Sequence, residues 1–189
     1  MYLGIDLDEV CCKFVDGFLS YYNVRHGTAI TLPQITKWNW WDIPEIGMSK
    51  EDFDKTFEEF TRCRMFQDLD IYPDTKFALC ALAEEGHHIC YLTSRPKDAR
   101  RATLKFILHN GLPVDSVIFC DSGDKPHIAK SMGIAVAIDD NPDTVKRYLS
   151  VGIRGIIMTR PHNLSFRESN PSILTVKSMK EFYELIKGK

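Results

Sequence analysis

Several protein classes are excluded by what this chain lacks. Its 6 cysteines contain no Cys-x-x-Cys pair, so structural zinc and thioredoxin-type redox chemistry have no sequence mark. No apolar run approaches the roughly 20 residues needed to cross a bilayer. The N-terminus has no basic stretch followed by an apolar core, so it does not read as a secretory signal. There is no cationic surplus: 24 Lys and Arg face 26 Asp and Glu, for a net charge of -2. A polymeric nucleic acid is therefore not an expected partner. Neither Gly-x-Ser-x-Gly nor Gly-x-x-x-x-Gly-Lys occurs, leaving serine-triad and P-loop chemistry unsupported.

What is present describes a globular chain of 189 residues, 44% hydrophobic and 26% charged, sized for one domain with an insertion. Several cysteines, such as Cys90 and Cys120, sit in apolar segments and read as buried free thiols of a reducing, cytoplasmic setting. Tyr2-Leu3-Gly4-Ile5 reads as a first strand, and Val10 to Tyr22 as a helix with Val10, Phe14, Phe18 and Leu19 on one face. Residues 27–47 read as an aromatic loop. Ser49 is a predicted N-cap for a helix to about Arg62, with acids in its first turn.

From Pro73 onward strands and helices alternate. Strands are predicted at His88–Leu92, Val117–Cys120, Ile134–Ile138 and Gly155–Met158. Helices are predicted at Pro73–Glu85, Lys97–Asn110, Pro126–Met132, Pro142–Ser150 and Ser178–Lys187. This pattern predicts an α/β fold with a doubly wound, Rossmann-like parallel sheet. Residues 10–72 break the alternation and read as a helical cap inserted after the first strand, leaving 1–9 and 73–189 as the core.

A parallel sheet delivers every strand's carboxyl end to one edge. Four of those ends read Asp6-Leu7-Asp8, Thr93-Ser94-Arg95, Asp121 to Lys125, and Asp139-Asp140-Asn141. Two aspartates one residue apart repel each other unless a cation, proton or donor network compensates; a plain turn would use one. Asn141 before Pro142 is a good helix cap, but two preceding acids exceed what a cap needs. Carboxylates with few other ligands suit Mg²⁺ sharing a substrate phosphate, and hydroxyls with a lysine suit the remaining phosphate oxygens. The set fits phosphoryl transfer.

Asp6-Leu7-Asp8-Glu9-Val10, Thr93, Lys125 and Asp139-Asp140 together resemble the four motifs of the haloacid dehalogenase-like phosphohydrolase superfamily. The run from Met65 to Asp74, with Tyr91-Leu92-Thr93-Ser94-Arg95-Pro96, is similar to the 5'(3')-deoxyribonucleotidase family over essentially the whole chain. One departure is Glu9, where these nucleotidases commonly carry glycine. The resemblance implies that Asp6 attacks phosphorus to form an aspartyl-phosphate and that Asp8 is general acid/base. It implies Mg²⁺ held by Asp6, the Asp8 carbonyl, and Asp139 or Asp140, with Asp139 nearer the strand. Thr93, Ser94 and Lys125 would bind phosphate, with Lys130 a competitor that falls inside a helix.

Phe14, Phe18, Trp38, Trp40, Trp41 and Phe66 would line a slot for a flat base, or simply form the core of the cap. Arg64 and Arg95 are candidates for phosphate or sugar contacts. The expected activity is hydrolysis of deoxyribonucleoside monophosphates, and the expected partner is a small phosphate ester; a homodimer is compatible with this reading. The alternatives are another phosphomonoester, such as a sugar phosphate, or nucleotide binding without turnover.

Overall fold

The computed structural model of the chain describes residues 1–188. Among the described residues six strands form one sheet: β1 (Tyr2–Ile5), β2 (His88–Thr93), β3 (Ser116–Phe119), β4 (Ile134–Asp139), β5 (Arg154–Met158) and β6 (Thr175–Val176). Their order is β3-β2-β1-β4-β5-β6, and every pairing is parallel. The chain lays strands outward from β1 to β3, then returns to β4 on the other side of β1. Between β1 and β4 the winding reverses, and such a reversal opens a crevice beyond the carboxyl ends of the strands. Asp6 lies in that reversal: its amide donates to the Ile138 carbonyl at 3.1 Å.

Both faces of the sheet are covered, as a parallel sheet requires. Along β2, Ile89 and Tyr91 join one apolar cluster while Cys90 and Leu92 join another, the two-residue alternation of a strand. The crossover helices are α3 (Thr75–Glu84), α4 (Arg100–His109), α5 (Lys125–Ser131), α6 (Pro142–Ser150) and α7 (Leu164–Ser169), and α8 (Met179–Ile186) closes the fold. Gly155 brings β5 against α6. A Cβ there would stand 2.9 Å from both the Val145 carbonyl oxygen and its Cγ1, so only glycine fits this approach.

Between β1 and β2 lies a helical insertion built on α1 (Phe14–His26) and α2 (Lys50–Arg62). Ser49 caps α2 by accepting the Asp52 amide, as the sequence predicts. The helix expected from Val10 instead begins at Phe14, because residues 7–12 form a tight turn in which the Cys11 and Cys12 amides both donate to the Leu7 carbonyl. The aromatic loop contains three short 3₁₀ turns, Leu32–Gln34, Trp40–Asp42 and Pro44–Ile46. Strand β6 and helix α7 were not anticipated: two strand residues and six helical ones carry too short a period to read. All six cysteines are free, but only Cys11, Cys12 and Cys90 are buried, while Cys63 is exposed. No helix is long and apolar enough to cross a membrane among the described residues.

Candidate active site

A cavity of about 280 Å³ opens at the crevice. The strand ends contribute Asp6, Asp8, Ser94, Lys125, Asp139 and Asp140 to its lining, and the insertion contributes Phe14, Trp38, Trp40, Trp41, Phe53 and Phe57. One side is thus charged and the other aromatic.

The charged side is built around Lys125, the first residue of α5. Its ammonium donates to Asp6 Oδ1 at 2.7 Å and to Asp139 Oδ2 at 2.9 Å, and all three side chains are buried. Oxygens of Asp6, Asp139 and Asp140 lie within 4.8 Å of one another. Burial holds the Asp6 carboxyl well above the ordinary carboxylate range, an effect Lys125 opposes and the neighbouring acids reinforce. Burial also raises Asp139, again against the pull of Lys125. For Lys125 itself burial favours the neutral amine, but Asp139 and Asp6 outweigh it and hold the ammonium charged. Asp139 Oδ1 further accepts the Asn141 amide, and Asn141 caps α6 through the Asp143 and Thr144 amides.

Asp8 has a different partner. The Nε and Nη2 atoms of Arg95 donate to its two oxygens at 2.7 to 3.2 Å. The Arg95 guanidinium is buried, donates to Thr103 Oγ1, and stacks over Phe66 and Phe106 at 4.5 and 5.4 Å. Arg95 is therefore engaged with Asp8 rather than free for a phosphate or sugar. Thr93 is fully buried, and its hydroxyl accepts the Arg95 amide; it shapes the turn, while Ser94 reaches the cavity. Arg64 is exposed and lies off the cavity lining, which corrects its expected contact. Phe18 and Phe66 are likewise core: both are fully buried, Phe66 stacking on Phe14 and Phe18 meeting Trp40 edge-on. Phe14, Trp38, Trp40 and Trp41 do line the cavity, joined by Phe53 and Phe57 from α2.

Sequence reasoning missed three participants. His162, buried on the cavity, sits 3.0 Å from Asp140 Oδ2 and edge-on to Trp38 at 5.4 Å. Burial opposes its charge, but Asp140 overcomes that and raises its pKa. Arg160 donates to the Glu9 carbonyl at 2.7 Å. Tyr72 donates to the Glu9 carboxylate at 2.8 Å. A signal existed for two of them, since Thr159-Arg160-Pro161-His162 follows predicted strand β5 at the same sheet edge.

The residues fit a hard divalent cation. Three buried carboxylates converge, and one ammonium, that of Lys125, pairs with Asp6 and Asp139. Burial chiefly raises the pKa values of those two, a setting that a hard divalent cation would relieve.

A doubly wound sheet with this four-part edge defines a haloacid dehalogenase-like phosphohydrolase. The fold is shared with solved structures of that class. The haloacid dehalogenase-like hydrolase SP0104 of Streptococcus pneumoniae aligns with a TM-score of 0.71 and 11% identity, covering 98% of each chain. A phosphatase of the same class from Thermococcus onnurineus aligns with a TM-score of 0.57 and 17% identity, covering 100% of this chain and 98% of its own. Within the class, the chain belongs to the family described as 5' nucleotidase, deoxy (pyrimidine), cytosolic type C, whose family model matches residues 1–189. A relative in Oceanobacillus iheyensis named "Putative nucleotidase OB0422" is 23% identical over 167 residues, 86% of this chain and 89% of that protein. The protein is a phosphomonoester hydrolase.

Proposed function

We propose that the protein is a Mg²⁺-dependent phosphatase of deoxyribonucleoside monophosphates that works through an aspartyl-phosphate on Asp6. The observation carrying this reading is one cavity with Asp6, Lys125, Asp139 and Asp140 on one side and Phe14, Trp38, Trp40 and Trp41 on the other. A phosphate suits the first set and a flat base the second. Residues 10–72 act as the cap that closes over the leaving nucleoside.

In this scheme a carboxylate oxygen of Asp6 attacks phosphorus, and the bond to the ester oxygen breaks. Asp8 gives that oxygen a proton, releasing the nucleoside. Asp8 then takes a proton from water, which attacks the acyl phosphate, frees inorganic phosphate and restores Asp6. Lys125 screens the phosphoryl oxygens and keeps Asp6 aimed. Arg95 offers donors only, so Asp8 meets it as an acceptor. Acid work requires the Asp8 side chain, 25% exposed, to turn from Arg95 toward the leaving oxygen. Asp6, Asp139 or Asp140, and the Asp8 carbonyl would hold Mg²⁺, which supplies charge neutralisation for carboxylates and phosphate.

The test is a phosphate-release panel over ribo- and deoxyribonucleoside monophosphates and sugar phosphates, with Mg²⁺ and with EDTA. Release from dUMP or dTMP that needs Mg²⁺ and disappears in Asp6→Asn is expected. Faster turnover of sugar phosphates would overturn the substrate assignment, and activity in Asp6→Asn would overturn the nucleophile.

A further inference from the structure

Glu9 is a charged side chain that the chemistry above does not use. It adopts φ 57°, the left-handed region that residues with a Cβ rarely occupy. It is also only 3% exposed. A buried, strained glutamate persists where its surroundings hold it.

Its carboxylate is held from three directions. Oε1 accepts the Val15 amide at 2.8 Å, capping α1, whose Lys13 provides no side-chain cap. Oε2 accepts the Tyr72 hydroxyl at 2.8 Å and stands 3.5 Å from Arg160 Nε. The Arg160 guanidinium lies 4.0 Å over the Tyr72 ring. Each partner belongs to a different body. Val15 starts the helical insertion, Tyr72 lies on the segment that returns from it, and Arg160 belongs to the core loop after β5. That loop is itself anchored, because Asn163 accepts the Arg160 amide and donates to the Asp140 and Met158 carbonyls.

The two crossings between insertion and core also run together here. The Lys13 amide donates to Asp70 and the Tyr72 amide to Cys11, at 2.9 and 3.0 Å. Here the insertion leaves and rejoins the core, and hinges absorb their motion at such element ends, so any hinge of the insertion would lie at these residues. Glu9 joins the hinge to the core one residue from Asp8.

We propose that Glu9 is a positioning residue that pins the helical insertion over the cavity, fixing the distance from the aromatic side to Asp6. The Glu9–Tyr72–Arg160 set limits hinge opening, so the substrate's leaving group meets a preset wall. The kinetic consequence rests on the phosphatase reading above; the mechanical one does not.

The test compares wild type, Glu9→Gln, Glu9→Gly and Tyr72→Phe. Glycine relieves the φ strain while removing the carboxylate, and Tyr72→Phe removes one hydroxyl in case the Glu9 variants fold poorly. Amide hydrogen exchange is expected to quicken about tenfold or more at residues 9–15 and 69–72, with β1 and β4 unchanged. With dTMP, KM is expected to rise about tenfold while kcat stays within about threefold. Unchanged exchange in both segments, or equal acceleration throughout the sheet, would overturn the pin. Local loosening with a fall in kcat at constant KM would overturn the positioning role. If the wild type does not turn over dTMP, the substrate reading fails and the exchange data still decide the pin.

Discussion

Replacing Lys125 with methionine isolates the electrostatics of the strand-end acids. Methionine keeps most of the length and the apolar stem but removes the ammonium that touches Asp6 and Asp139. A carboxylate deprived of it either stays ionised in a buried place or binds a proton. The proton route caps the cost for one group at pH 7 at about 1.36 × (7 − 3.9), or about 4 kcal/mol. Burial already raises both carboxyls with Lys125 present, so part of that penalty exists in the wild type and the cap is an upper bound on the difference for each group. Because the folded-state values lie above the unfolded ones, the penalty is absent at low pH and grows as the pH rises. At pH 5 the same arithmetic leaves about 1.5 kcal/mol. For a chain of this size each kcal/mol moves Tm by roughly 2–4 °C. Thermal melts in EDTA should therefore show Lys125→Met lower than wild type, by at most roughly 8–16 °C per carboxyl at pH 7 and at most roughly 3–6 °C per carboxyl at pH 5. Millimolar Mg²⁺ should restore more of the variant's loss than it adds to the wild type. A Tm equal to that of wild type at pH 7, or a gap that does not shrink at pH 5, would refute the charge argument.

Other consequences follow from single contacts. Arg95→Lys keeps the charge but loses the two-pronged grip on Asp8 and the stack on Phe66; kcat/KM should fall about 10–100-fold with an unchanged circular dichroism spectrum, and a change under twofold would show that Asp8 needs no such support. Gly155→Ala must push α6 away from β5 and should cost about 1–3 kcal/mol in urea unfolding, whereas wild-type stability would mean that the approach relaxes freely. Asp115 accepts His88 and the Ile89 amide, which hold its pKa below the usual value. Its stabilisation is present above the unfolded value near 3.9 and is lost as the pH falls through the depressed one. Asp115→Asn should thus lower Tm at neutral pH, with the gap closing on acidification; a gap unchanged in acid would refute that origin.

The parallel sheet and its edge chemistry were legible in the chain because both have a short-range sequence cause. Strand and helix periods and their glycine stops fix the alternation, and a parallel sheet must then deliver Asp6, Thr93, Lys125 and Asp139 to one edge. The caps at Ser49 and Asn141 were readable for the same reason, since a cap is a contact across three residues. Only the tertiary structure assigned partners. Phe14 and Phe18 share a helix face in sequence and meet the same Trp40 and Phe57 rings, yet Phe14 lines the cavity and Phe18 is fully buried core. Arg95 resembled a phosphate ligand until its partner 87 residues away, Asp8, was in view. Glu9 read as a departure in the first motif. Its reason lies at Tyr72 and Arg160, 63 and 151 residues distant, and only the folded chain brings them together to satisfy a buried charge.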